Sequence, residues 1–174
     1  MSPATPPETS PGVVVVGVIP GQPELVLRRA AEFAADLGAR LVCASVDASR
    51  YSVQENIDGS VTSLPFDPDL PELGEVEFDP GLADHIRQTL AGSPVPWSLR
   101  ALAGDPARAL ARLAETLDAR LIVVGTREAG VRAGLHKFFT GSVGIHLAHR
   151  QHRPVLIVPL APVGHTGQLP WEAE

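Results

Sequence analysis

Cysteine is almost missing from this chain of 174 residues: Cys43 stands alone, which excludes a disulfide within the molecule. It sits in "LVCASV", a run that reads as a buried strand, where a free thiol packs as a small hydrophobe. Aromatic residues make up only 5%, so the core must be built from Val, Leu, Ile and Ala. Basic residues are outnumbered, 14 Lys and Arg against 20 Asp and Glu, for a net charge of -6. That balance, with no basic stretch interleaved with aromatics, argues against nucleic acid as a partner. No apolar run approaches the roughly 20 residues of a membrane span, so no membrane partner is expected. The opening "MSPATPPETSPG" has neither the charged n-region nor the apolar core of a signal peptide, and a cytoplasmic location is the default. What is present, 44% hydrophobic and 20% charged residues, suits a globular domain with a sizeable core.

Residues 1–12 are rich in Pro, Ser and Thr and read as a disordered N-terminal tail. "VVVVGVI" at 13–19 is a continuous β-branched run, as expected of a strand buried on both faces. Pro23 is expected to open a helix at its first position, with Val26, Ala30, Phe33, Ala34 and Leu37 as the apolar stripe and Gly38 as the stop. A second strand follows at 40–46. From 47 to 78 the periodicity lapses into an acidic insertion with prolines at 65, 68 and 71, where Asp58-Gly59 suggests the turn of a short ribbon. Asp79-Pro80 and Asp105-Pro106 each pair an N-cap with a proline at the first helical position. The remaining strands fall at 96–102, 120–125 and 154–159, with a last helix over 142–150. This alternation predicts one α/β domain over 13–159, an open and mainly parallel five-stranded sheet with helices on both faces. Residues 160–174 read as a C-terminal tail, from which Leu169 and Trp171 could dock.

In such a sheet, ligands bind beyond the carboxyl ends of the strands, where the chain switches direction. The loop after the fourth strand, "GTREAGVRAGLHKFFTGSV", carries Gly125, Gly130, Gly134 and Gly141 among Arg127, Arg132, His136 and Lys137. Gly141 and Ser142 then open a helix, whose first amides favour an anion. The plainer alternative is that these glycines only permit a turn and a helix start. Neither of the common nucleotide fingerprints, G-x-G-x-x-G or G-x-x-x-x-G-K-[ST], occurs.

The order "LIVVG…GSV…HRPVLIVP", preceded by "GDPARALARLAETLDARLIVVG" and by "VVVVGV…LVLRRAAEFAADLGARLVCASV", resembles the universal stress proteins. The resemblance covers 13–46 and 104–159. It implies a Rossmann-like sheet of strand order 3-2-1-4-5, a homodimer through the last strand, and a regulatory or protective binding module that is not an enzyme. It also implies a division between members that bind ATP and members that do not. The binding pattern, Gly-x2-Gly-x9-Gly-[Ser/Thr], cradles phosphates, and an Asp closing the first strand contacts adenine. Here Glu128 stands where the second Gly is due, Gly141-Ser142 arrives three residues late, and Ile19 replaces the Asp. If ATP binds, with magnesium, the resemblance puts phosphates at Gly125, Thr126, Gly141, Ser142 and Val143 and the base over Val18 and Ile19. Gly130 then partly substitutes for the missing glycine, and Arg127, Arg132 and Lys137 supply countercharge. The alternative is a nucleotide-free dimeric module that meets a protein partner at the insertion 47–78.

Other constellations are weaker. His146, His149 and His152 spread over roughly 120° of a helix and suit its C-terminal dipole better than a metal, so no metal site is expected. "TGSVG" has Thr140 where a nucleophile elbow needs Gly and no strand before it, so no catalytic serine is expected.

Overall fold

The computed structural model describes residues 11–55, 61–65, 74–126, 142–160 and 162. Four consecutive valines fill β1 (Gly12–Gly17), which starts at Gly12, one residue before the valine run. Branching at Cβ suits a strand covered on both faces. Val14 and Val16 enter one core cluster, Val13 and Val15 the other, and Val14, Val15 and Val16 are fully buried. β1 is paired in parallel with β2 (Ala39–Asp47) on one side and β7 (Leu121–Gly125) on the other.

The chain leaves β1 into α1 (Glu24–Asp36). Pro23 is the N-cap with φ -57° and ψ 140°, one position outside the helix where the sequence places it inside. The helix stops at Leu37, followed by Gly38 in the left-handed region. Its buried residues are Val26, Leu27, Ala30, Ala31 and Ala34. Phe33 and Leu37, expected in that stripe, are exposed instead. The small alanines bring the helix close to the sheet, and its contact face is centred on Ala30 and Ala34, which leaves Phe33 at the margin.

Two further helices have the capping the sequence predicts. In α2 (Pro80–Thr89) the Asp79 carboxylate accepts from the Leu82 N–H at 2.6 Å. In α3 (Pro106–Thr116) Asp105 accepts from the Arg108 N–H at 2.9 Å. Each cap contributes about 1 kcal/mol. β6 (Trp97–Ala103) pairs in parallel with β2, and β8 (Val155–Val158) with β7. The sheet order is β6-β2-β1-β7-β8, which in terms of its own five strands is 3-2-1-4-5. Helices α1 and α2 cover one face; α3 and α4 (Ser142–Arg150) cover the other. Among the described residues, no helix is long and apolar enough to cross a membrane.

The insertion forms a second, antiparallel sheet of β3 (Arg50–Glu55), β4 (Val61–Pro65) and β5 (Gly74–Glu75). The Asp58-Gly59 turn lies outside the described residues. Val61 enters the core on the α3/α4 side, and β3 and β4 pack against β6. Ser63 is fully buried; its hydroxyl accepts from Arg50 Nε at 2.7 Å and its carbonyl from Nη2 at 3.0 Å.

The end of α4 is closed by a residue to which the sequence drew no attention. Gln151 Nε2 donates to the Leu147 and Arg153 carbonyls, while its Oε1 accepts from the Arg153 N–H. Arg153 in turn donates to the Ala119 carbonyl and pairs with Asp118.

Candidate functional site

β1 is the strand from which connections diverge, toward β2 and β6 on one side and toward β7 and β8 on the other. The switch point is therefore the crevice beyond the carboxyl ends of β1 and β7. Val18 and Ile19 continue β1 to its rim. Val18 is buried, and its N–H donates to the Ala44 carbonyl at 2.9 Å. Ile19 is 43% exposed, a branched apolar side chain at the mouth. Its carbonyl accepts from the Gln22 N–H at 3.2 Å and closes the turn Ile19-Pro20-Gly21-Gln22. Pro20 sets the first central dihedral, and Gly21 adopts the positive φ, 74°, that the second position of a type II turn demands.

At the end of β7 the chain is held differently. A Cβ placed on Gly125 would lie 2.8 Å from Val26 Cγ2, 3.1 Å from Gln22 Nε2 and 3.2 Å from Leu160 Cδ1. The missing side chain thus lets α1, the β1–α1 turn and the chain beyond β8 converge on one point. Thr126 secures the same convergence: its N–H donates to the Val158 carbonyl at 2.9 Å, and its hydroxyl accepts from the Leu160 N–H at 2.8 Å. The hydroxyl keeps its own proton to donate. Leu160 therefore belongs to the domain and not to the tail in which the sequence places it. An apolar residue directly after the strand-ending Pro159 was the available signal.

β7 and β8 are parallel, so α4 between them runs back along the sheet and opens at this same carboxyl end. Ser142 is its first residue, as expected. Val143 is half-buried and packs against the core on the α3/α4 side, so its contribution to a ligand is limited to the backbone. Arg127, Gly130, Arg132, Lys137 and Gly141 lie outside the described residues, as does Glu128. The structure thus brings together Val18, Ile19, Gly125 and Thr126, with the first turn of α4 at the same end of the sheet.

A neighbouring cleft, absent from the sequence reading, opens between the β1–α1 turn and the start of α2. It is lined by Pro20, Gly21, Gln22, Asp79, Gly81, Leu82 and His85. His85 Nε2 is buried there without a hydrogen-bond partner among the described residues. Nearby, the Arg28 guanidinium hydrogen-bonds the Glu24 carboxylate and holds it below its usual range. Burial pushes the Cys43 thiol up to about 12, so it stays protonated and unreactive, as its place in a buried strand suggests. His146, His149 and His152 are all exposed, and the described residues contain no cluster able to hold a metal ion.

A family model described as the universal stress protein family matches residues 12–159. Among solved structures, a universal stress protein in complex with cAMP is 24% identical, covering 88% of this chain and 100% of its own at a TM-score of 0.54. One from Archaeoglobus fulgidus is 18% identical over 84% of this chain and 93% of its own, with a TM-score of 0.55. Another from that organism, in complex with dAMP, is 18% identical over 84% and 97%, with a TM-score of 0.51. No curated protein matches the chain. At these identities the structures share a fold with this chain.

Proposed function

The chain belongs to the universal stress protein family, and from that premise we propose that it is a nucleotide-binding regulatory module of the stress response, working in the cytoplasm without turnover chemistry. The carrying observation is the convergence at one end of the sheet of the apolar rim of β1, the Thr126 hydroxyl and the opening turn of α4. That combination suits a planar base at one side and an anion at the other. Two structures of this fold are described as complexes with adenine nucleotides, which supports the same reading. In it, the base lies over Val18 and Ile19. The phosphates of ATP, with magnesium, meet Thr126, the backbone at Gly125 and Val143, and Gly141 and Ser142, with Arg127, Arg132 and Lys137 as countercharge.

We propose further that the protein is a homodimer through strand 154–158. β8 is a sheet edge, Ile157 on it is 46% exposed, and Ile145 on the adjoining α4 is 57% exposed. An apolar edge of this kind invites a second strand. Pairing is limited to a few residues by Pro154 and Pro159. The antiparallel sheet of the insertion, with Tyr51 exposed, is the surface for a protein partner.

Calorimetric titration of ATP with magnesium, into protein freed of ligand by unfolding and refolding, tests the nucleotide reading. Saturable binding that disappears in a Gly141→Val, Ser142→Ala variant is the expected result. A folded dimer that takes up no ATP at millimolar concentration would favour the second reading, a ligand-free interaction module, to which the exposed Ile145 and Ile157 and the carboxylate of Glu128 point.

A further inference from the structure

We propose that Gln22 holds the sugar of the nucleotide: its carboxamide pairs with the vicinal hydroxyls of a ribose, so the site prefers ribonucleotides to their deoxy forms. The inference rests on the nucleotide reading above and concerns the surface between the base and the phosphates. With the base over Ile19 at the end of β1 and the phosphates toward Thr126 and α4, the sugar falls between two neighbouring strand ends. Adjacent strands lie about 4.8 Å apart, a spacing that one sugar ring bridges.

Gln22 spans that interval. It starts on the β1 side, as the last residue of the turn Ile19-Pro20-Gly21-Gln22, and reaches the β7 side, where its amide nitrogen lies 3.1 Å from the point a Cβ on Gly125 would occupy. Thr126 is the next residue along the chain. The bare Cα of Gly125 is what admits the carboxamide to this place. The backbone of Gln22 is held from both sides. Its N–H donates to the Ile19 carbonyl at 3.2 Å, and Pro23, with φ -57°, restricts the residue before it to extended conformations. The side chain is half-buried, and among the described residues its carboxamide has no hydrogen-bond partner. A polar group is thus fixed at its base and unpaired at its tip.

A carboxamide carries its acceptor and its donors side by side. A vicinal diol presents the matching pair: one hydroxyl donates to Oε1 while its neighbour accepts from Nε2, whichever way the amide is turned. Removing either hydroxyl leaves half of that pair unmade. Gln22 is neutral, so it neither repels nor attracts phosphate, and the anion is left to Thr126 and the first turn of α4. Gln22 also lines the cleft toward α2, which gives its side chain room to adjust to the diol without moving the core.

The test is calorimetric titration of the intact chain with ATP, 2′-deoxy-ATP and 3′-deoxy-ATP, each with magnesium. It is repeated on Gln22→Met, which keeps the length of the side chain and removes its hydrogen-bonding groups. Each deoxy form is expected to bind the parent about fivefold more weakly than ATP, the worth of one net hydrogen bond. In Gln22→Met the ATP affinity is expected to fall to the level of the deoxy forms or below, and all three to come within about twofold of one another. A parent that binds all three alike, or a Gln22→Met variant that keeps the parent's preference, would overturn the inference and leave the nucleotide reading standing. Absence of binding by all three to the parent would remove both.

Discussion

The carboxyl ends of β1 and β7 lie side by side in the sheet, yet they are finished in opposite ways. The end of β1 is a thin rim: Val18 drops into the core, Ile19 stands out at 43% exposure, and the turn closes on itself through Gln22. The end of β7 is a junction at which α1, the turn and the chain past β8 all press on Gly125, with Thr126 bonded in both directions. One rim leaves an exposed side chain, Ile19, at the mouth. The other helps to hold the fold together, and among the described residues it leaves the Thr126 hydroxyl proton and the first turn of α4 for the proposed ligand. On the function proposed above, stability and recognition are divided between two adjacent strand ends.

Substitutions should expose that division. Gly125→Val forces methyl groups against Val26 and Leu160 and is expected to destabilise by about 1–3 kcal/mol in urea unfolding. A loss below that range would mean the junction yields easily and the contrast is smaller than drawn. Thr126→Val keeps the shape but leaves the Leu160 N–H without its acceptor, for an expected loss of about 1 kcal/mol.

On the β1 side, Cys43 lies in β2 beside Val16 and acts only through pH. Burial raises its folded value to about 12, so the unfolded chain releases this proton first as pH rises. The stability it contributes is complete below about pH 8.5 and drains away as pH climbs toward the folded value. Unfolding measured from pH 8 to pH 11 should therefore fall more steeply for the parent than for Cys43→Ala; equal slopes would show that the thiol is not shielded. Smallest of all, Ile19→Asp should change stability by less than about 0.5 kcal/mol, because its side chain stands exposed at the end of the strand. A large loss there would show that the β1 rim is structural too.

Much of the fold was legible because each element advertises its own cause. The valine run of β1, the Asp-Pro starts of α2 and α3 and the apolar strand before Gly125 depend on residues next to one another in sequence. Long-range contacts were not legible. Phe33 has the right spacing for a buried stripe, but the three alanines that set the helix close to the sheet decide which flank is covered. The insertion showed only a turn signal, since its packing rests on Arg50 reaching thirteen residues ahead to the buried Ser63. At the site, Ile19 and Thr126 were singled out from their places after the strands, and the structure puts them at adjacent strand ends. Gly125, read as a phosphate contact, has a packing role set by Gln22, Val26 and Leu160, each distant in sequence and each unremarkable alone.

The most direct measurement is methyl NMR of isoleucine-labelled protein during titration with ATP and magnesium. The account predicts that the Ile19 methyl signals move saturably while those of Ile122, fully buried toward the start of β7, stay in place. Saturable shifts elsewhere with Ile19 unmoved, or no shifts at all, would contradict a nucleotide seated over the end of β1.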